Sequence, residues 1–249
     1  MRRIVWIIVL VTCAVFGLMF YQYQAQQKEL TQLHEYQNVL YDKAEQIYLQ
    51  AQDWSTPIQV DPSDPRLSGD YALMAEFVIS HLVQSAEARN SYLRELKALQ
   101  WDQFLDLKRL NEDKKQDYAE TEAMLSQVKA MMELYQEHLT EHEAQALAQI
   151  EELPIKSHLR RQLSESLLES RQNDEGTVLF ELEKQSLSQA YVLLGILKNN
   201  RWEMKNNLFM FYEDAGLKQF NQAYQDMLKL NQQMQDITQA HQQALAEKL

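Results

Sequence analysis

YAETEAMLSQVKAMMELYQEHLTEHEAQALAQI, residues 118–150, is the stretch that decides the fold. Within it Tyr118, Thr121, Leu125, Val128, Met132, Tyr135, Leu139, His142, Ala146 and Ile150 recur at intervals of three and four. That period puts them on one face of an α-helix, as a coiled-coil-like seam that narrows at Ala146. Pro154, which lacks an N–H and clashes with the preceding turn, ends the run.

The same period extends outward in both directions. Upstream, Leu33, Tyr36, Leu40, Ala44, Ile47, Ala51 and Trp54 predict a first bundle helix, and residues 55–69, with Pro57, Pro62 and Pro65, read as a loop. A second helix is expected from about Asp70, with Met74, Val78, Leu82, Ser85, Tyr92, Leu96 and Leu99 on one face. The polar run Asn111 to Asp117 is expected to be the next turn, with Asn111 as the N-cap; a break near Trp101 and Asp102 is the alternative.

Downstream, a fourth helix is expected from Ser157 to about Asn199, with an interruption near Asn173 to Gly176. Two apolar-rich segments, 201–205 and 208–212, flank Asn206-Asn207, a pair that tolerates positive φ, so 201–212 reads as a small β-hairpin. A last helix from about Gly216 would align Leu217, Phe220, Tyr224, Met227, Asn231 and Met234, with Asn231 fixing register. These segments predict a mainly α chain of about five long helices in an elongated antiparallel bundle, one domain over 21–249.

Composition agrees. Five Gly and four Pro among 249 residues suit long helices better than a sheet. The formal charge of −12, with six Glu and no Lys or Arg between Met131 and Leu153, repels phosphate backbones, so nucleic acid is not expected as a partner. Cys13 is the sole cysteine, which excludes an intrachain disulfide and a cysteine metal cluster.

Ile4 to Phe20 is uncharged and apolar, and as a helix it would reach about 26 Å, enough to cross a hydrocarbon core. Trp6, Tyr21 and Tyr23 sit where interfacial aromatics belong. Arg2 and Arg3 place the N-terminus in the cytoplasm by the positive-inside rule. The expectation is a tail over 1–3, a transmembrane anchor over 4–20 that runs on into the first bundle helix, and a bundle outside the cytoplasm, in a bacterial inner membrane. A cleaved signal peptide would need small residues where Tyr21 to Ala25 stand. Lipidation at Cys13 would need a better lipobox than Leu10 to Thr12 and a polar continuation.

Few motifs carry chemistry. His138-Leu139-Thr140-Glu141-His142 matches the H-x-x-E-H zinc-binding pattern of the inverzincins, which implies His138 and His142 as ligands and Glu141 as the activator of a water. The match covers five residues, needs a third ligand from elsewhere, and competes with a packing role for His142 in the seam. His81 reads as a packing residue, and Asp61, Asp64 and Asp70 as turn and cap residues, since their spacing is not that of a calcium loop. No phosphate-binding glycine loop, dinucleotide fingerprint or nucleophile elbow occurs, so neither an enzyme nor a cofactor is expected.

Trp202, Phe209, Phe211 and Tyr212 form an aromatic group at the hairpin, able either to pack on the bundle end or to dock a partner. The functional expectation is a membrane-anchored interaction or scaffold component of the cell envelope, with a protein partner or self-association. Alternatives are a ligand-sensing bundle that relays through a partner membrane protein, and, more remotely, a zinc-dependent hydrolase.

Overall fold

The computed structural model describes residues 29–172 and 175–246. The tail and anchor expected over 1–20, and the join from 21 to 28, lie outside the described residues. No helix among the described residues is long and apolar enough to cross a membrane.

The described chain is mainly helical. Helix α1 covers 29–51. It is followed by α2 (Asp70–Ala98), α3 (Leu107–Asp113), α4 (Ala119–Glu152), α5 (Ser157–Gln172), α6 (Glu175–Asn199), strands β1 (Trp202–Lys205) and β2 (Leu208–Phe211), and α7 (Asp214–Ala246). Among the described residues the expected five helices become six long ones and the short α3. Helix α2 stops near Trp101, where Gln100 takes a left-handed conformation (φ 57°) ahead of a 3-10 turn, rather than continuing to Asn111. Residues 173–174 of the expected interruption lie outside the described residues; α5 is described to Gln172 and α6 from Glu175, with Gly176 inside α6.

The turn expected at 111–117 also forms, but Asn111 lies within α3 and caps nothing. Its place is taken by Asp113, whose carboxylate accepts from Glu120 N at 3.0 Å, Thr121 N at 2.7 Å and Thr121 Oγ1 at 2.6 Å. These are orphan donors of the first turn of α4, and a buried carboxylate also suits the positive end of the helix dipole. Arg109 braces the turn by donating to Thr121 Oγ1 at 3.0 Å and to the Phe104 carbonyl at 2.7 Å.

The described residues divide into two compact units, one within residues 29–87 and 149–163 and the other within 88–148, 164–172 and 175–246. In the first, Val39 and Ile47 of α1, Ile58 and Leu67 of the loop, and Ala75 and Ile79 of α2 form an aliphatic core. The loop is an ordered strap. Gln50 and Gln59 exchange two hydrogen bonds, Lys43 donates to the Asp61 carbonyl at 2.8 Å, and Ser68 donates to Gln32 Oε1 at 3.1 Å. Successive strap residues thus meet α1 further and further back along its length, which satisfies backbone groups that no helix or sheet provides for. Asp61 and Asp64 take the expected turn roles, each accepting from the backbone N–H two residues on, and Asp70 accepts from Lys156 N just before α5.

In the second unit the seam read from 118–150 holds for its own part: Tyr118, Thr121, Leu125, Val128, Met132 and Ala146 are buried. Of these, Tyr118, Leu125, Val128 and Met132 pack with Tyr92, Leu96, Phe180, Leu187, Leu193, Leu197 and Trp202 among others. Helix α7 is turned relative to its expected seam. Phe220, Ala223 and Met227 are buried and Leu230, Met234 and Ile237 partly so, whereas Leu217, Tyr224 and Asn231 are exposed. The cause lies at the start of the helix: Phe220 is taken by the rings of Phe209 and Phe211, and Gly216 must pass Asn200 so closely that a Cβ there would sit 2.5 Å from Asn200 Oδ1.

Candidate functional site

The hairpin over 202–211 forms as expected, with Asn206 and Asn207 at φ 51° and 60° in a two-residue turn. These angles twist the chain in the sense the flanking strands need. The register pairs Trp202 with Phe211, Glu203 with Met210, Met204 with Phe209 and Lys205 with Leu208. Side chains alternate across a strand, so Trp202, Met204, Phe209 and Phe211 share one face, while Glu203, Lys205, Leu208 and Met210 share the other, extended by Arg201 and Tyr212.

The first face is the foundation. Trp202 is 1% exposed, and its Nε1 donates to the Tyr118 hydroxyl at 2.7 Å. That hydroxyl in turn donates to the Leu197 carbonyl near the end of α6 at 3.1 Å. Lys114 donates to the Trp202 carbonyl and holds its ammonium 4.6 Å from the centre of the indole ring. The geometry costs backbone strain, since Asp117 and Tyr118 are both left-handed, at φ 54° and 63°, a region a bulky aromatic rarely enters. Burial raises the Tyr118 pKa and keeps its hydroxyl protonated. Phe209 and Phe211 lie 4.8 and 5.3 Å from the ring of Phe220, tilted against it, which closes the aromatic cluster.

The second face is open. Leu208, Met210 and Tyr212 are 62%, 43% and 60% exposed and form one row; Arg201, Glu203 and Lys205 form the charged row beside it. Tyr212 is steadied by Glu203, whose carboxylate accepts a hydrogen bond from its hydroxyl at 2.9 Å and raises its pKa, and by the Arg201 guanidinium over its ring at 5.0 Å. Of the four aromatics picked out in the sequence, only Tyr212 faces outward. Trp202, Phe209 and Phe211 pack on the unit, and Leu208 and Met210 take their place in the exposed row. Strict alternation across a two-residue turn already separates Tyr212 from the other three, and that was the available signal. Nothing in the sequence marks Lys114 and Tyr118 as the hairpin's supports, because they are distant in the chain.

The histidines are less promising. His138 and His142 stack on α4 with ring centres 6.0 Å apart, His138 and Glu141 are exposed and His142 is half-buried. Burial, and then the neighbouring His138, lowers the His142 pKa. Among the described residues no three His, Cys, Asp or Glu side chains come together to hold a metal, so the third ligand required by the zinc pattern is not supplied. His81 stacks on Phe77 at 6.2 Å, in keeping with a packing role.

Polar side chains also lie inside the second unit. Arg89 pairs with Glu183 at 3.0 and 2.5 Å, while Asn90 Nδ2 and Ser186 Oγ are buried without a hydrogen-bond partner among the described residues.

No protein-family profile, no curated protein and no solved structure matches this chain.

Proposed function

We propose that this chain is a membrane-anchored interaction protein of the bacterial envelope, held by residues 4–20 in the inner membrane, with its helical part outside the cytoplasm and no catalysis of its own. The observation that carries the reading is the two-faced hairpin, whose inner face is fixed by Trp202, Tyr118 and Phe220 and whose outer row of Leu208, Met210 and Tyr212 is left to solvent. Exposed apolar side chains on a preorganised support lose little entropy when a partner covers them. The apolar run after Arg2 and Arg3 supports the anchor, and the net charge of −12 supports a protein partner over nucleic acid or an anionic lipid surface.

The test uses the tagged full-length protein in intact cells, cross-linked, fractionated and analysed by mass spectrometry beside a variant carrying Leu208→Ser, Met210→Ser and Tyr212→Ser. The reading expects recovery with the inner membrane and a recurrent stoichiometric protein that the triple variant loses. Recovery as a soluble cytoplasmic protein would overturn the anchor, and full retention of the captured protein by the variant would overturn the hairpin as docking face.

A second reading, an extracytoplasmic ligand-sensing bundle that relays through a partner membrane protein, is favoured by the unpartnered Asn90 and Ser186. A buried polar atom with no partner costs about 1–3 kcal/mol, a debt that a small polar ligand would remove. Thermal-shift screening of polar metabolites separates the readings. A stabiliser whose effect disappears in Ser186→Ala supports sensing, and a flat screen leaves docking as the account.

A further inference from the structure

The two edges of the hairpin are treated differently. The bond from Tyr212 N to the Arg201 carbonyl sets the phase of the ladder, so the peptide groups of residues 201, 203 and 205 bond to those of 212, 210 and 208. Those of Trp202 and Met204 point off the β1 edge, and those of Phe209 and Phe211 off the β2 edge. The β1 edge is guarded, since Lys114 takes the Trp202 carbonyl and the strand carries Glu203 and Lys205. On the β2 edge the outward N–H and C=O groups of Phe209 and Phe211 meet no protein partner among the described residues.

That open edge also has none of the usual protections. Leu208-Phe209-Met210-Phe211-Tyr212 contains no charge, proline, glycine or bulge, which are the devices that keep edge strands from pairing. Its side chains select an occupant. In an antiparallel pair centred on Met210, residue 208 of one strand faces 212 of the other, 209 faces 211 and 210 faces itself. A second copy of β2 therefore meets the first with an apolar side chain opposite an apolar side chain at every position, no like charges opposed, and all four outward peptide groups of each strand satisfied.

We infer that β2 pairs with β2 of a second copy of this chain about a two-fold axis through Met210, giving a four-stranded sheet in the order β1-β2-β2-β1. The inference rests on the reading of the hairpin as an interaction surface and adds to it. Pairing sets the two rows of Leu208, Met210 and Tyr212 side by side, and the two rows of Arg201, Glu203 and Lys205 become the rims. An apolar centre with a charged rim is the anatomy of a protein-docking face. Five residues of edge bury far less than the roughly 1,200 Å² of a stable interface, so the dimer is weak in free solution and gains from tethering, which raises effective concentration.

The test is disulfide trapping in full-length protein carrying Cys13→Ser. Met210 faces itself at a non-hydrogen-bonded position, where Cα atoms are about 4.5 Å apart, within reach of a disulfide. Met210→Cys should give a covalent dimer under mild oxidation at least about tenfold faster than Glu203→Cys, which lies on the same face but one strand inward. In a native-cysteine-free background, Met210→Lys should lose the dimer by analytical ultracentrifugation at concentrations where the parent shows it. Equal trapping rates at the two positions, or a dimer that survives Met210→Lys, would overturn the inference, as would trapping of Met210→Cys onto a different protein. In that last case docking at the hairpin would stand while self-pairing failed; a dimer with no captured partner would do the reverse.

Discussion

The strap over 52–69 and the hairpin over 202–211 are both non-helical passages in a helical chain, and they are held by opposite means. The strap keeps its course through exposed polar contacts, Gln50 with Gln59, Lys43 with Asp61, Arg66 with Asp42 and Asp64, over the buried Ile58 and Leu67. The hairpin hangs on the buried Trp202, Tyr118 and Phe220, with Lys114 bonding the Trp202 carbonyl from the surface. A polar attachment in water is made of many small terms, each replaceable by solvent, whereas a buried one is made of few and large terms. Only the second kind suits a segment that must present side chains rigidly.

The largest break should come from Trp202→Ala, which empties a buried aromatic site, removes the indole donor to the Tyr118 hydroxyl and takes the ring away from the Lys114 ammonium. A loss of about 3–5 kcal/mol is expected by chemical denaturation, with the hairpin amides losing exchange protection. Tyr118→Phe keeps the ring and strands the indole N–H and the Leu197 carbonyl, for about 1–3 kcal/mol and an unchanged strap. Faster exchange at the strap in either variant would contradict the separation.

Alkali should also weaken the first unit. Burial, with a contribution from the neighbouring Tyr71, pushes the Tyr36 pKa from 10.0 up to about 12. A raised folded pKa means that the stabilisation is complete below pH 10 and lost as pH rises toward 12, on the order of 1–2 kcal/mol, and Tyr36→Phe should reduce that slope in a denaturation series.

Gln50→Ala removes both exposed bonds to Gln59 and should cost under about 1 kcal/mol, read as faster exchange of the Gln59 amide. The smallest effect belongs to Asp64, whose hydrogen bond from Arg66 holds its pKa at about 2. Being depressed, it adds stability above its usual 3.8 that is lost as pH falls toward 2, and the change should show only in local exchange around Arg66.

Helix periodicity was legible where one face alone meets the core. The seam from Tyr118 to Ile150 and the hairpin turn at Asn206-Asn207 follow directly from spacing and backbone preference. Helix α7 was misread by one step because both Leu217 and Gly216 begin a three-four pattern, and only the approach of Asn200 and the aromatic hold on Phe220 decide between them. The cap of α4 was misassigned for a related reason: Asn111 and Asp113 are both acceptable cap residues, and the choice depends on Arg109 bracing the turn in three dimensions. At the hairpin the residue set was visible but its two faces were merged, so buried aromatics were counted with exposed ones.

The most direct measurement of the central claim places a photo-cross-linking amino acid at Tyr212 of the full-length protein, and separately at Leu134, an exposed apolar residue on α4, and irradiates intact cells. If the outer row of the hairpin is the docking face, position 212 yields a discrete adduct and position 134 does not. Equal adducts at both positions, or an adduct only at 134, would contradict the account.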